Sequence, residues 1–210
     1  VLGIVIFFWF SFHQNGTSLS LFAKDFVNTS TVPPEVWQAI NPFFVIVLTP
    51  VIMAIFAALA RRGKEISTPR KIAIGMFIAG LAFLFLAIYS IVAGYPSGDE
   101  FTAMSDSAKE GLKAGVWVMF VLYFFLTVAE LFISPLGLSF VSKVAPPKLK
   151  GLMMGGWFVA TAIGNLLVAV GGFLWAGLPL WSVWTVFIVL CLLSALFMFI
   201  MMKRLEAVTK

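Results

Sequence analysis

Charge is what this 210-residue chain has least of: 11% of it is Asp, Glu, Lys or Arg, 61% is hydrophobic, and the mean hydropathy is +1.06. So little polar surface excludes a soluble globule. Cysteine is nearly absent as well; a lone Cys191 rules out a disulfide within the chain and any thiolate metal cluster, and packing is its expected role. There is one histidine, His13, hence no HExxH motif, and neither a Ser/Lys nor an Asp/Asp pair points to intramembrane hydrolysis. An enzyme is not expected, nor a metal or organic cofactor.

What is present is a series of long apolar runs. Six of them, at roughly 1–22, 36–60, 70–94, 114–142, 151–176 and 181–202, are each near the ~20 residues that cross a bilayer as a helix. Their continuity argues against the alternating segments of a barrel. The expected fold is an all-α membrane protein, residues 1–210 forming a single bundle of six transmembrane helices.

Every charged residue but Glu130 falls between these runs. Eleven basic residues (Arg61, Arg62, Lys64, Arg70, Lys71, Lys143, Lys148, Lys150, Lys203, Arg204, Lys210) lie on one side; the other side carries three, against six carboxylates. The positive-inside rule then places both chain ends in the cytoplasm, in a multi-pass protein of the cytoplasmic membrane. The net charge of +5 reads as topology and lipid contact, with no nucleic-acid partner. Val1 is not an initiator methionine and no cleavage site follows the first run, so a signal peptide is not expected and the chain reads as a piece of something longer.

Glu130, near the middle of the fourth run, costs roughly 2.5–3.5 kcal/mol if it faces lipid, so it should face a cavity or partner. At helical spacing it shares a stripe with Tyr123, Thr127, Ser134 and Gly137. The first run changes character at Ser11, where SFHQNGTSLS puts Trp9, His13 and Ser20 on one face, with loosening expected at Gly16. His13 is read either as a packing histidine or as a cavity residue. The second run carries Gln38 and Asn41 near its start and a kink expected at Pro50. Gly156, Ala160 and Gly164 in the fifth run are a small-xxx-small face, with Trp157, Thr161 and Asn165 one step round. The third and sixth runs are bare grease read as peripheral, with Trp181 and Trp184 as interface anchors. Asn28-Thr29-Ser30 matches a glycosylation sequon of little weight, and Pro33-Pro34 an external turn. Polar-lined, polar-lined, peripheral, twice over, suggests a 3+3 inverted repeat with its site near the midplane.

The segments FFWFSFHQNGTSLSLFA, INPFF and AELFISPLGLSFVSKVAPPKLKGLMMGGWFVATAIGN resemble the proton-coupled oligopeptide transporters, and the chain as a whole resembles the C-terminal half of a major-facilitator fold. The resemblance implies symport of di- and tripeptides, protons being the coupling ion. It implies that Glu130 holds the peptide's amino terminus, Asn41 bonds its backbone, Trp9 and Trp157 wall the pocket, and Thr161 lies nearby. Glu130 and His13 become candidates for proton coupling; Gln14, Thr127, Ser134 and Tyr123 are the other expected cavity-lining residues. His13 stands where the family usually carries an acidic residue before the Gln matching Gln14. The family's N-terminal bundle, with its ExxER-type helix, is absent from this chain, so the expected partners are a peptide substrate, the lipid bilayer and that missing half. The alternatives are a major-facilitator transporter of another solute and a non-transporting membrane scaffold.

Overall fold

The computed structural model describes residues 2–28, 33 and 36–209; Val1, Thr29 and Ser30 of the sequon, Pro34 and Lys210 lie outside the described residues. The described chain is helical. Five helices are long and apolar enough to cross a membrane, which makes this an integral membrane protein: α3 (Trp37–Arg61), α4 (Thr68–Ala93), α7 (Trp117–Val144), α8 (Lys150–Gly177) and α9 (Leu180–Ile200). Between them lie α5 (Gly98–Ala103) and α6 (Asp106–Gly111), the latter with no buried residue, and α10 (Met202–Thr209) follows.

The first apolar run is not one helix. It folds as α1 (Leu2–Phe12), a 3-10 turn over His13–Gly16, and α2 (Ser18–Phe26). An 11-residue and a 9-residue helix are each too short to cross alone. The end of α2 is tied to the start of α7 by backbone bonds, Asn28 N–H to Ala114 C=O at 2.9 Å and Ala114 N–H to Phe26 C=O at 2.7 Å.

The expected stops and starts hold elsewhere. Helix α4 begins at Ser67-Thr68-Pro69, where proline's missing N–H costs nothing, and ends on Gly94 at φ +66°. Ser67 sits at the cap position, but its hydroxyl donates instead to Glu206 of α10 at 2.5 Å. Helix α3 runs unbroken through Pro42 and Pro50. A capping box of Ser97 and Glu100 opens α5, at 3.3 and 3.0 Å.

The core is built by α4, α7 and α9, with α1 seated on α8. Helices α4 and α9, read from sequence as peripheral, contribute nothing to the polar cavity described below but are deeply packed. Trp184 is the clearest correction: it is fully buried, its indole N–H donating to Ser90 Oγ at 3.0 Å, because the helix angle turns it to the core while Trp181, three residues earlier, stays 43% exposed. The small-residue face of α8 does receive a helix. A Cβ at Gly164 would stand 2.8 Å from Trp9 Cβ and 2.9 Å from the Ile6 carbonyl, and one at Gly156 would stand 3.1 Å from Leu2 Cδ1. Exposed apolar side chains lie on all five long helices, for example Ile46 at 75% on α3, Val92 at 82% on α4 and Leu166 at 78% on α8.

Gly75 of α4 is the tightest crossing with α7, a Cβ there lying 2.7 Å from Ile133 Cγ1 and 2.9 Å from the Ala129 carbonyl, whereas at Gly80 the nearest atom is a flexible Leu192 methyl at 3.2 Å. Gly75→Ala is therefore expected to destabilise by about 1–3 kcal/mol. Gly80→Ala should be close to neutral, and thermal unfolding of the two variants in detergent compares them directly.

Candidate functional site

Two short helices that meet end to end in the interior of the bundle leave backbone groups in need of partners. Gln14 answers for one of them, the Phe10 carbonyl, and ties the break to its surroundings. Fully buried in the turn between α1 and α2, it donates from Nε2 to the carbonyls of Phe10 at 3.3 Å and Val168 at 3.4 Å. Its Oε1 accepts from Thr17 Oγ1 at 2.9 Å and Ser18 Oγ at 2.7 Å. The side chain needs the bare backbone of Gly171 opposite it, since a Cβ at that position would overlap the carboxamide. Gln14 thus fastens α1, the turn and α2 to α8.

Residues on either side of Gln14 consequently point the other way. His13, Asn15, Gln38, Asn41 and Asn165 line an open cavity of about 480 Å³ between the turn, α3 and α8. The His13 ring stacks on Trp9, centroids 4.8 Å apart and planes within 16°, and shares the cavity wall with Asn165. Asn15 accepts from the Tyr123 hydroxyl through Oδ1, and Gln38 donates to Ser20 Oγ at 3.0 Å. Asn41, 8% exposed, donates from Nδ2 to Glu130 Oε2 at 3.1 Å, joining α3 to α7. Glu130 also edges a second hollow of about 340 Å³ between α3 and α7, together with Ser134. Its carboxyl group is paired with an amide and, among the described residues, with no cation, which leaves its other oxygen available to a ligand.

The structure brings together Trp9, His13, Asn41 and Glu130 through stacking, a shared cavity and a hydrogen bond. It does not bear out a single lining stripe on α7. Tyr123 and Thr127 are fully buried where α7 packs against its neighbouring helices, whereas Glu130 and Ser134 are partly open. Gln14, expected to line the cavity, turns into the bundle to satisfy the broken backbone. Trp157 is buried as a wedge over Gly137, where a Cβ would fall within its indole, and lines neither cavity; Thr161, half-buried, donates back to the Trp157 carbonyl at 3.1 Å. Asn15 and Asn165, by contrast, are cavity residues that were not among the expected site. Their signal was available, an amide at membrane depth beside other polar groups. The buried Trp9 indole N–H, His13 Nδ1 and Thr127 hydroxyl have no hydrogen-bond partner among the described residues. No group of His, Cys, Asp and Glu among the described residues is arranged to hold a metal.

Comparison with known proteins is consistent across sequence and fold. The profile of the POT family (PTR2) matches residues 1–172. The chain is 34% identical over 166 residues to dipeptide and tripeptide permease B of Salmonella typhimurium, covering 77% of this chain and 31% of that one. The permease B of Xenorhabdus bovienii is 31% identical over 173 residues, 80% of this chain and 32% of that one. The chain thus spans about a third of the length of these relatives. A crystal structure of a POT peptide transporter in complex with alafosfalin superposes with a TM-score of 0.82 at 23% identity, over all of this chain and 40% of that one.

If Gln14 holds the broken helix in place, Gln14→Met, which keeps the bulk and removes the bonds, costs about 1–3 kcal/mol. Backbone amides of residues 13–18 should then exchange with deuterium faster than in the wild type. Gly171→Leu should produce the same local opening from the opposite side, and unchanged exchange in both variants would mean that the turn stands without its fastening.

Proposed function

Because the chain belongs to the POT family, we propose that it supplies the C-terminal half of the substrate site in a proton-coupled symporter of di- and tripeptides. The observation that carries this reading is the Asn41–Glu130 pair, a carboxylate held by an amide between two cavities, with no cation against it. A short peptide is a zwitterion of variable side chain. Fixed polar groups suit its termini and backbone, and aromatic or aliphatic walls tolerate its side chains. In this reading Glu130 receives the amino terminus, Asn41 shares a hydrogen bond with the peptide backbone, and His13, stacked on Trp9, faces the cavity from the break after α1.

Six crossings are proposed, with α1 and α2 forming one broken crossing ahead of α3, α4, α7, α8 and α9, arranged as 3+3. The basic residues between α3 and α4, between α7 and α8 and after α9 put those ends, and both chain ends, in the cytoplasm. The opposite wall of the cavity, including the groups for the peptide carboxylate, belongs to a further N-terminal bundle. Exposed apolar faces of α3 and α8 suit contact with that bundle and with lipid. Coupling needs a group whose proton affinity differs between outward-facing and inward-facing states. Glu130 and His13 are the proposed coupling groups, His13 being stacked on Trp9 beside the helix break.

Uptake of a labelled dipeptide into vesicles carrying the full-length protein tests the reading. Uptake is expected to collapse when a protonophore removes the gradient, and Glu130→Gln should lower it by about 100-fold, the cost of losing a desolvated charge pair with the amine. Uptake indifferent to the gradient removes the symport claim, and full activity in Glu130→Gln removes the amine site.

A further inference from the structure

The Asn41–Glu130 pair separates two spaces of opposite character. On one side is the polar cavity of His13, Asn15 and Asn165; on the other is the hollow of about 340 Å³ between α3 and α7, walled by Val45, Ile52, Met53 and Leu131. Pro135 and Ser134 of α7 line the hollow as well, Ser134 adding a hydroxyl one turn from Glu130. Thr49 does not make the wall polar, because its hydroxyl turns back to the Val45 carbonyl at 2.5 Å. No cation borders the hollow, and its one charged neighbour is the carboxylate of Glu130.

Resting on the reading of Glu130 as the acceptor of a peptide's amino terminus, we propose that this hollow holds the side chain of the peptide's first residue and makes the site selective for an aliphatic one. The covalent geometry requires proximity. In any residue the amine nitrogen and Cβ share Cα, each about 1.5 Å from it, so a side chain whose amine is at Glu130 starts beside the carboxylate. Of the two spaces meeting there, the apolar one returns free energy on desolvating Leu, Ile or Met. An acidic first residue meets Glu130 with no cation to offset the repulsion. Asn41 fastens Glu130 Oε2 from the polar side, and so presents the carboxylate at the border of the hollow.

Competition against labelled Ala-Ala uptake by the full-length protein in vesicles tests this. Leu-Ala is expected to compete about tenfold better than Ala-Ala and better than Ala-Leu, and Asp-Ala worse than all three. Ile52→Phe fills the hollow and should erase the advantage of Leu-Ala over Ala-Ala. Met53→Ala enlarges it and should raise Phe-Ala relative to Leu-Ala, which keeps the test decisive where the filled variant fails to fold. Leu-Ala no better than Ala-Ala in the wild type, or a ratio unmoved by either variant, overturns the hollow as a side-chain site while leaving peptide transport standing. Absence of competition by every dipeptide overturns the peptide reading itself, and the side-chain site with it.

Discussion

Hydrocarbon offers no hydrogen bonds, and a helix interrupted within it must find every lost partner inside the protein. The first apolar segment is interrupted at His13–Gly16, and the carboxamide of Gln14 bridges the break, donating to the Phe10 carbonyl and to Val168 of α8 while accepting from the Thr17 and Ser18 hydroxyls. That one side chain decides the rest of the site. With Gln14 turned into α8 over Gly171, its neighbours His13 and Asn15 are turned toward α3, and a polar cavity forms where a continuous helix would have presented a narrower stripe.

Glu130 occupies a complementary position. A charge at membrane depth persists only where partners or water receive it. Asn41 supplies one bond from α3, and the remaining surroundings are a polar cavity on one side and an aliphatic hollow on the other. The same principle distributes rigidity. Helices α4, α7 and α9 interlock through close crossings at Gly75 and Gly80 and a buried Trp184–Ser90 bond, forming a stiff base. The segments that border the cavity, the α1–α2 break and α3, carry the prolines, the amides and the 3-10 turn. Apolar packing also holds the break to that base, Phe10 lying against Phe187 and Phe22 against Trp184.

Several features were legible in the residues alone. The long apolar runs mark α3, α4, α7, α8 and α9 to within about three residues, because an unbroken stretch of about 20 apolar side chains has one stable backbone solution in a bilayer. Ser67-Thr68-Pro69 marks the start of α4, and Gly156, Ala160 and Gly164 mark the face of α8 that α1 approaches. Glu130 and Asn41 stand out by the cost of their burial. Less legible was the side of a helix to which a given residue turns once that helix has several neighbours. Tyr123 and Thr127 share the stripe of Glu130 yet are sealed by packing, and Trp184 and Trp181 differ by three residues and occupy core and surface.

Composition and periodicity by themselves determined that the chain lies in a membrane, where its long helices run, and that a carboxylate sits among them needing company. Those conclusions follow from transfer free energies, which are properties of residues and short segments. Only the tertiary structure decided that Gln14 serves the backbone instead of the cavity, that Trp157 wedges over Gly137, and that Asn41 is the group that meets Glu130. Each of these depends on which two helices approach and at what height. That is fixed by the fit of side chains across 89 or 154 positions of sequence, and no local pattern contains it.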